Sequence, residues 1–102
     1  MASEHAVIVS FRYGSTDLSR LFALEDRLER AIDAARAGEF DGNEVAADGS
    51  HGTLYMYGAD ADALFAAVRS VLESTDFMKG ASVRLRYGPP GAGVKEIDVP
   101  LS

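Results

Sequence analysis

Residues 6–13, AVIVSFRY, alternate strictly: Val7, Val9, Phe11 and Tyr13 share one parity, while Ile8, Ser10 and Arg12 share the other. A period of two in β-branched and aromatic residues predicts a strand with one wholly apolar face, stopped by Gly14. Over 17–37 the period changes. Leu18, Leu21, Leu24 or Glu25, Leu28, Ile32 and Ala35 recur at helical spacing, with Arg20, Asp26, Arg27, Glu29, Arg30 and Asp33 opposite. Ser15 or Asp17 can accept from the free N–H groups that open this helix. Asp26 and Arg30 are spaced to pair, and Gly38 is the expected stop.

The strand period returns in TLYMY, 53–57, where Leu54 and Met56 point one way and Thr53, Tyr55 and Tyr57 the other. The preceding 38–52 is rich in glycine and acids. Its centre, 42–48, is expected as a strand with Val45 and Ala47 inward, hairpinned to 53–57 through the turn Asp48-Gly49-Ser50. A second helix is expected over 61–74. Leu64, Val68, Val71 and Leu72 face inward, supported by Phe65, and Asp60 or Asp62 is the cap. A turn at 75–80 leads to a strand at 82–87, with Val83, Leu85 and Tyr87 alternating with Ser82, Arg84 and Arg86. GPPGAG, 88–93, breaks regular structure. The strand 94–99 then returns, with Ile97, Val99 and Leu101 alternating with Glu96, Asp98 and Pro100, and a proline suits an edge.

The order β-α-β-β-α-β plus one strand predicts a single α+β domain over 1–102. It is a ferredoxin-like βαββαβ sandwich with an extra C-terminal edge strand and two helices on one face of an antiparallel sheet. Two stretches echo each other, YGSTDLSRLFALEDRLE and YGADADALFAAVRSVLE, as expected of the pseudo-twofold of that plan. Three of the four tyrosines precede a glycine, at Tyr13-Gly14, Tyr57-Gly58 and Tyr87-Gly88, each at a strand end. The first two are expected at one end of the sheet and the third at the other.

Composition narrows the function classes. With 102 residues, 47% hydrophobic, the chain has enough apolar material for one core. A formal net charge of −6 argues against general affinity for nucleic acid or an anionic membrane, because both begin with neutralising phosphate. The absence of cysteine excludes disulfides, thiolate catalysis and cysteine-ligated metals. The apolar run at 6–9 is too short for a signal peptide or a membrane span, so a cytoplasmic protein is expected.

The alternation also sorts the polar residues. If the apolar parity of each strand lies under the helices, the open face carries Arg12, Tyr55, Tyr57, Arg84 and Arg86, beside Glu96 and Asp98. Three functions suit that set: a protein or homodimer interface anchored by Tyr and Arg, a small anion gripped by the arginines, or RNA bases stacked on the tyrosines. The acids Asp41, Glu44, Asp48, Asp60 and Asp62 form a second candidate surface, for a basic partner. His5 is expected at a frayed terminus and His51 in a solvated turn. No cofactor, metal or catalytic residue is expected: no Ser–His–Asp order or paired carboxylates stand out, and GPPGAG leads into a strand rather than a helix.

The runs FDGNE (40–44), DG (48–49), LYMYG (54–58), DADALF (60–65) and LRYGPP (85–90) resemble a small family of uncharacterised bacterial proteins, over about 40–99. That resemblance implies no activity. The step Phe40-Asp41-Gly42 is similar to one in ribonuclease E inhibitor B, another small acidic protein with a ferredoxin-like fold. This looser likeness implies an inhibitor or immunity-type regulator. The expectation is therefore a non-enzymatic domain that binds a protein partner or itself as a homodimer.

Overall fold

The computed structural model describes residues 4–101. The elements are β1 (His5–Arg12), α1 (Ser19–Ala35), β2 (Glu39–Val45), β3 (His51–Gly58), α2 (Ala61–Glu73), β4 (Ser82–Arg86) and β5 (Glu96–Pro100), with a 3-10 turn at Asp76–Met78 before β4. The sheet order is β2-β3-β1-β4-β5, and every pairing is antiparallel. Two helices cover one face, which is the ferredoxin-like arrangement with one added strand.

The core follows from the two periods. Val7, Val9 and Phe11 of β1, Leu54 and Met56 of β3, and Val83 and Leu85 of β4 meet Leu21, Leu24, Leu28 and Ile32 of α1 and Leu64, Val68 and Leu72 of α2. All are buried, and each such side chain contributes roughly 1.5–3 kcal/mol relative to exposure. Val99 packs against this core, and Leu101 is buried where its N–H bonds the Ala81 carbonyl. Ile97 lies opposite Leu85 on the same side but is 40% exposed, because the helices do not reach the edge strand.

Several local expectations change. Helix α1 ends at Arg36 in the left-handed region, φ 51°, rather than at Gly38. Gly38 serves a close approach instead, since a Cβ there would meet the Tyr57 carbonyl. The N-cap residue of α1 is Leu18, without a side-chain bond; Asp17 accepts from the backbone and hydroxyl of Ser19, which holds its carboxyl below the usual range. Asp60 caps α2, accepting from Asp62 and Ala63. Asp26 and Arg30 do not pair; the ion pairs among the described residues are Arg20–Asp76, Arg69–Glu73 and Arg84–Asp98.

Strand β2 begins three residues earlier than its alternation predicted and ends at Val45, leaving Ala47 exposed. A bulge between Phe40 and Gly42 resets its parity. Because β1 runs antiparallel to both β3 and β4, Tyr57-Gly58 and Tyr87-Gly88 share one end of the sheet, and Tyr13-Gly14 lies at the other. His5 is part of β1. Its Nδ1 accepts the Ala61 N–H at 3.0 Å, and its ring meets the Tyr87 ring edge-on.

Candidate functional site

The uncovered face is built in rows across the five strands. One row reads Glu39, Tyr57, Ala6, Arg86 and Glu96; the next reads Gly42, Tyr55, Ile8, Arg84 and Asp98. The structure thus brings Tyr55, Tyr57, Arg84 and Arg86 into two adjacent rows. Arg12 stands apart, opposite His51, four residues beyond Ile8 and so about 13 Å along the strand.

The arginines are engaged by the fold. Arg84 Nε donates to Asp98 Oδ1 at 3.1 Å, which raises its pKa further. Both side chains are more than half exposed, and such a pair adds little to stability. Arg86 is only 8% exposed. Its guanidinium crosses the row toward Tyr57, 6.0 Å from the ring centroid, while Nε donates to the Gly88 carbonyl at 2.7 Å. Ala6, between Tyr57 and Arg86 in that row, is completely buried although no helix covers it. A larger residue there would hold the two side chains apart.

On the β2 side the face is acidic. The bulge places Asp41 beside Gly42, and Glu44 lies diagonally from Tyr55. The Tyr55 hydroxyl donates to Glu44 Oε1 at 2.5 Å, and this bond, more than burial, raises the Tyr55 pKa. Asp41, Gly42, Asn43, Glu44, Tyr55 and Tyr57 line an open concavity of about 350 Å³. Two groups of residues that the sequence treats separately, the face tyrosines and the acids of 41–44, therefore meet in one place. Asn43 turns its side chain the other way, donating to Glu25 Oε2 at 2.5 Å beneath α1. Burial raises the Glu25 carboxyl, and the Asn43 bond opposes that rise.

The remaining acids do not join this surface. Asp48 sits in the turn at the Gly14 end, where the backbone and side chain of Ser50 lower its pKa. Asp60 and Asp62 lie at the opposite end, one capping α2 and the other accepting the Tyr87 hydroxyl at 2.6 Å. That bond raises the Tyr87 pKa. The length of an eight-residue strand, about 23 Å, separates the two ends.

Elsewhere, Arg20, Arg27, Thr75 and Phe77 line a concavity of about 370 Å³ between α1 and the end of α2. Its arginines are held by Asp76 and by the Ser74 hydroxyl. Among the described residues no three His, Cys, Asp or Glu stand close enough to hold a metal ion. No helix among them is long and apolar enough to cross a membrane.

Fold and face together define a class: a ferredoxin-like α+β domain with an acidic, tyrosine-lined hollow beside a buried arginine. No family model, no curated protein and no solved structure matches the chain.

Proposed function

We propose that this chain is a non-enzymatic, cytoplasmic protein-binding domain whose open sheet face receives a basic segment of a partner. The observation that carries the reading is the hollow lined by Asp41, Glu44, Tyr55 and Tyr57, which has no cation among its lining residues. A lysine or arginine entering it would meet two carboxylates and aromatic ring faces, each of which favours a desolvated cation. The net charge of −6 would speed the encounter with such a partner. An inhibitor or immunity-type role toward an enzyme with a basic active site fits the same chemistry. The Phe40-Asp41-Gly42 likeness to ribonuclease E inhibitor B falls on the bulge that shapes the hollow. A homodimer would need the same face. The anion-binding and RNA-binding readings have less support, because Arg84 is paired with Asp98 and Arg12 lies apart.

The test is a titration of the 15N-labelled protein with an arginine-rich hexapeptide and with its glutamate counterpart. Resonances of 41–44, 55 and 57 should move with the basic peptide alone, and a Glu44→Lys variant should lose the response. Shifts scattered over the whole surface, or an equal response to the acidic peptide, would sink the reading. Light scattering on a sizing column checks self-association, and a clean monomer at high concentration removes the homodimer.

A further inference from the structure

Among the described residues Arg86 is a buried charge without an ion-pair partner. At 8% exposure it is more deeply buried than any other arginine or lysine of the chain, yet none of the ion pairs among the described residues includes it. Glu96 stands directly across from it in the β4–β5 register and still lies beyond ion-pair distance. One nitrogen, Nε, is committed to the Gly88 carbonyl. The Tyr57 ring faces the guanidinium. Among the described residues the two Nη groups bond no acceptor, and since no fully buried side-chain nitrogen is left without a partner, each Nη keeps some contact with solvent. The stem and one face of the guanidinium are therefore desolvated, and its plane is set by the loop carbonyl and the ring. Its two Nη groups are the donors left for a ligand. Removing a charge from water without pairing it is unfavourable, and an anion at these groups would offset the cost. A pre-oriented fork suits a planar, bidentate acceptor.

We infer that Arg86 is the receptor for a carboxylate carried by the protein partner. The inference rests on the reading of the open face as a protein-binding surface and adds a second, opposite specificity to it. Glu39, Glu96 and Asp98 stand on the same face, so a polyanion meets net repulsion while a single carboxylate can be met at short range by Arg86. Tyr57 joins the two subsites, since it lines the acidic hollow and also faces the Arg86 guanidinium. From Tyr57 to Arg86 is two inter-strand steps across Ala6, about 10 Å. Because the guanidinium reaches to 6.0 Å from the Tyr57 ring, the partner presents its cation and its carboxylate within one short segment.

Side-chain 15N spectra that follow the Arg86 Nε–H test this directly. Sodium acetate is titrated against sodium chloride at matched ionic strength. A saturable shift with acetate alone is expected, accompanied by shifts of the Tyr57 and Gly88 backbone amides, and Arg86→Lys should lose those amide shifts. In Glu96→Gln, an exposed substitution that leaves the packing of Arg86 alone, acetate should bind about two- to fivefold tighter, the size of one exposed charge interaction. Acetyl-Lys-Gly-Asp-amide, which carries both charges, should bind about tenfold tighter than acetate through its second contact. A shift that follows chloride as closely as acetate overturns the inference, as does acetate binding that Glu96→Gln leaves unchanged. Equal affinity for acetate and the tripeptide overturns the assignment to a partner's carboxylate. If acetate fails while the arginine-rich peptide still binds at 41–44, only the Arg86 inference falls. If the peptide fails while acetate binds, only the reading of the hollow falls.

Discussion

Gly38 and Gly42 have nearly the same φ, +146° and +139°, in a region that L side chains rarely adopt. They differ in what surrounds them. A Cβ on Gly38 would lie 2.0 Å from the Tyr57 carbonyl oxygen and 2.9 Å from the Gly58 Cα, whereas one on Gly42 meets nothing within 4 Å. Gly42→Ala therefore carries the conformational cost alone, about 1–3 kcal/mol. A gain of about 0.4–1 kcal/mol from a stiffer unfolded chain reduces it. Gly38→Ala carries the same terms plus overpacking, about 1–3 kcal/mol more, because the obstacle is main chain and cannot rotate away. The expected losses are about 0–3 kcal/mol for Gly42→Ala and about 1–6 kcal/mol for Gly38→Ala, with the second exceeding the first by about 1–3 kcal/mol. A domain of this size is stable by about 5–15 kcal/mol in all, so the second substitution removes a large share. The assay is urea unfolding followed by far-UV circular dichroism, with slopes unchanged between variants. The melting temperature should fall by about 4–8 °C for each kcal/mol lost. Losses equal to within about 0.5 kcal/mol would refute the claim that the contact between 37–38 and 57–58 is rigid. Gly42→Ala should instead be felt at the hollow it lines, as weaker binding of a basic peptide.

Two further outcomes follow from the titrating groups. Burial raises the Glu25 carboxyl, so its contribution to stability is present below the unfolded pKa and is lost as pH rises through the folded value. Relative to wild type, Glu25→Gln should therefore gain stability at neutral pH and gain nothing at about pH 3, while still accepting from Asn43. Urea melts at the two pH values decide it, and the opposite sign would end the argument. Glu44→Gln should lower the Tyr55 ionisation midpoint toward that of a free phenol, since the hydrogen bond to Glu44 is the main cause of its elevation. An NMR titration of the ring carbons that shows no movement would disprove the Tyr55–Glu44 contact.

The strand faces were legible because the alternation in AVIVSFR, TLYMY and SVRLR runs unbroken and each stretch pairs in simple register. Strand β2 was not. Phe40 and Val45 both turn toward the helices although they stand five positions apart, a spacing that strict alternation forbids and a bulge permits. Reading 42–48 by parity alone put Ala47 inside and left Phe40 out. The meeting of Asp41 and Glu44 with the tyrosines was hidden by the same bulge. The Tyr-Gly ends were misplaced for a different reason: chain direction depends on which strands pair, and that is a non-local choice. His5 and Ala61, 56 positions apart, share a hydrogen bond that no local pattern announces. The burial of Arg86 did leave a trace. Its alanine neighbour in the register, Ala6, is the small residue that lets a long side chain lie across the sheet toward Tyr57.

That alanine also bears on how the proposed binding face would select a partner. In the rows that carry the tyrosines and arginines the central strand contributes Ala6 and Ile8, neither of which carries charge, between the acids of β2 and the arginines of β4; its one charged residue on this face, Arg12, lies apart. Asp41 and Glu44 are thereby kept from Arg86 by the width of β1, while the β5 acids neutralise Arg84 on the other side. On the proposed reading, a surface arranged this way would discriminate by rejection as well as attraction. A wholly basic segment that satisfies Asp41 and Glu44 and continues across β1 meets Arg86, and a wholly acidic one meets Glu44 first. Only a segment that changes sign over the width of β1 satisfies both sides. The order β2-β3-β1-β4-β5, which places β1 at the centre of the sheet, is what holds the two charge sets at that separation.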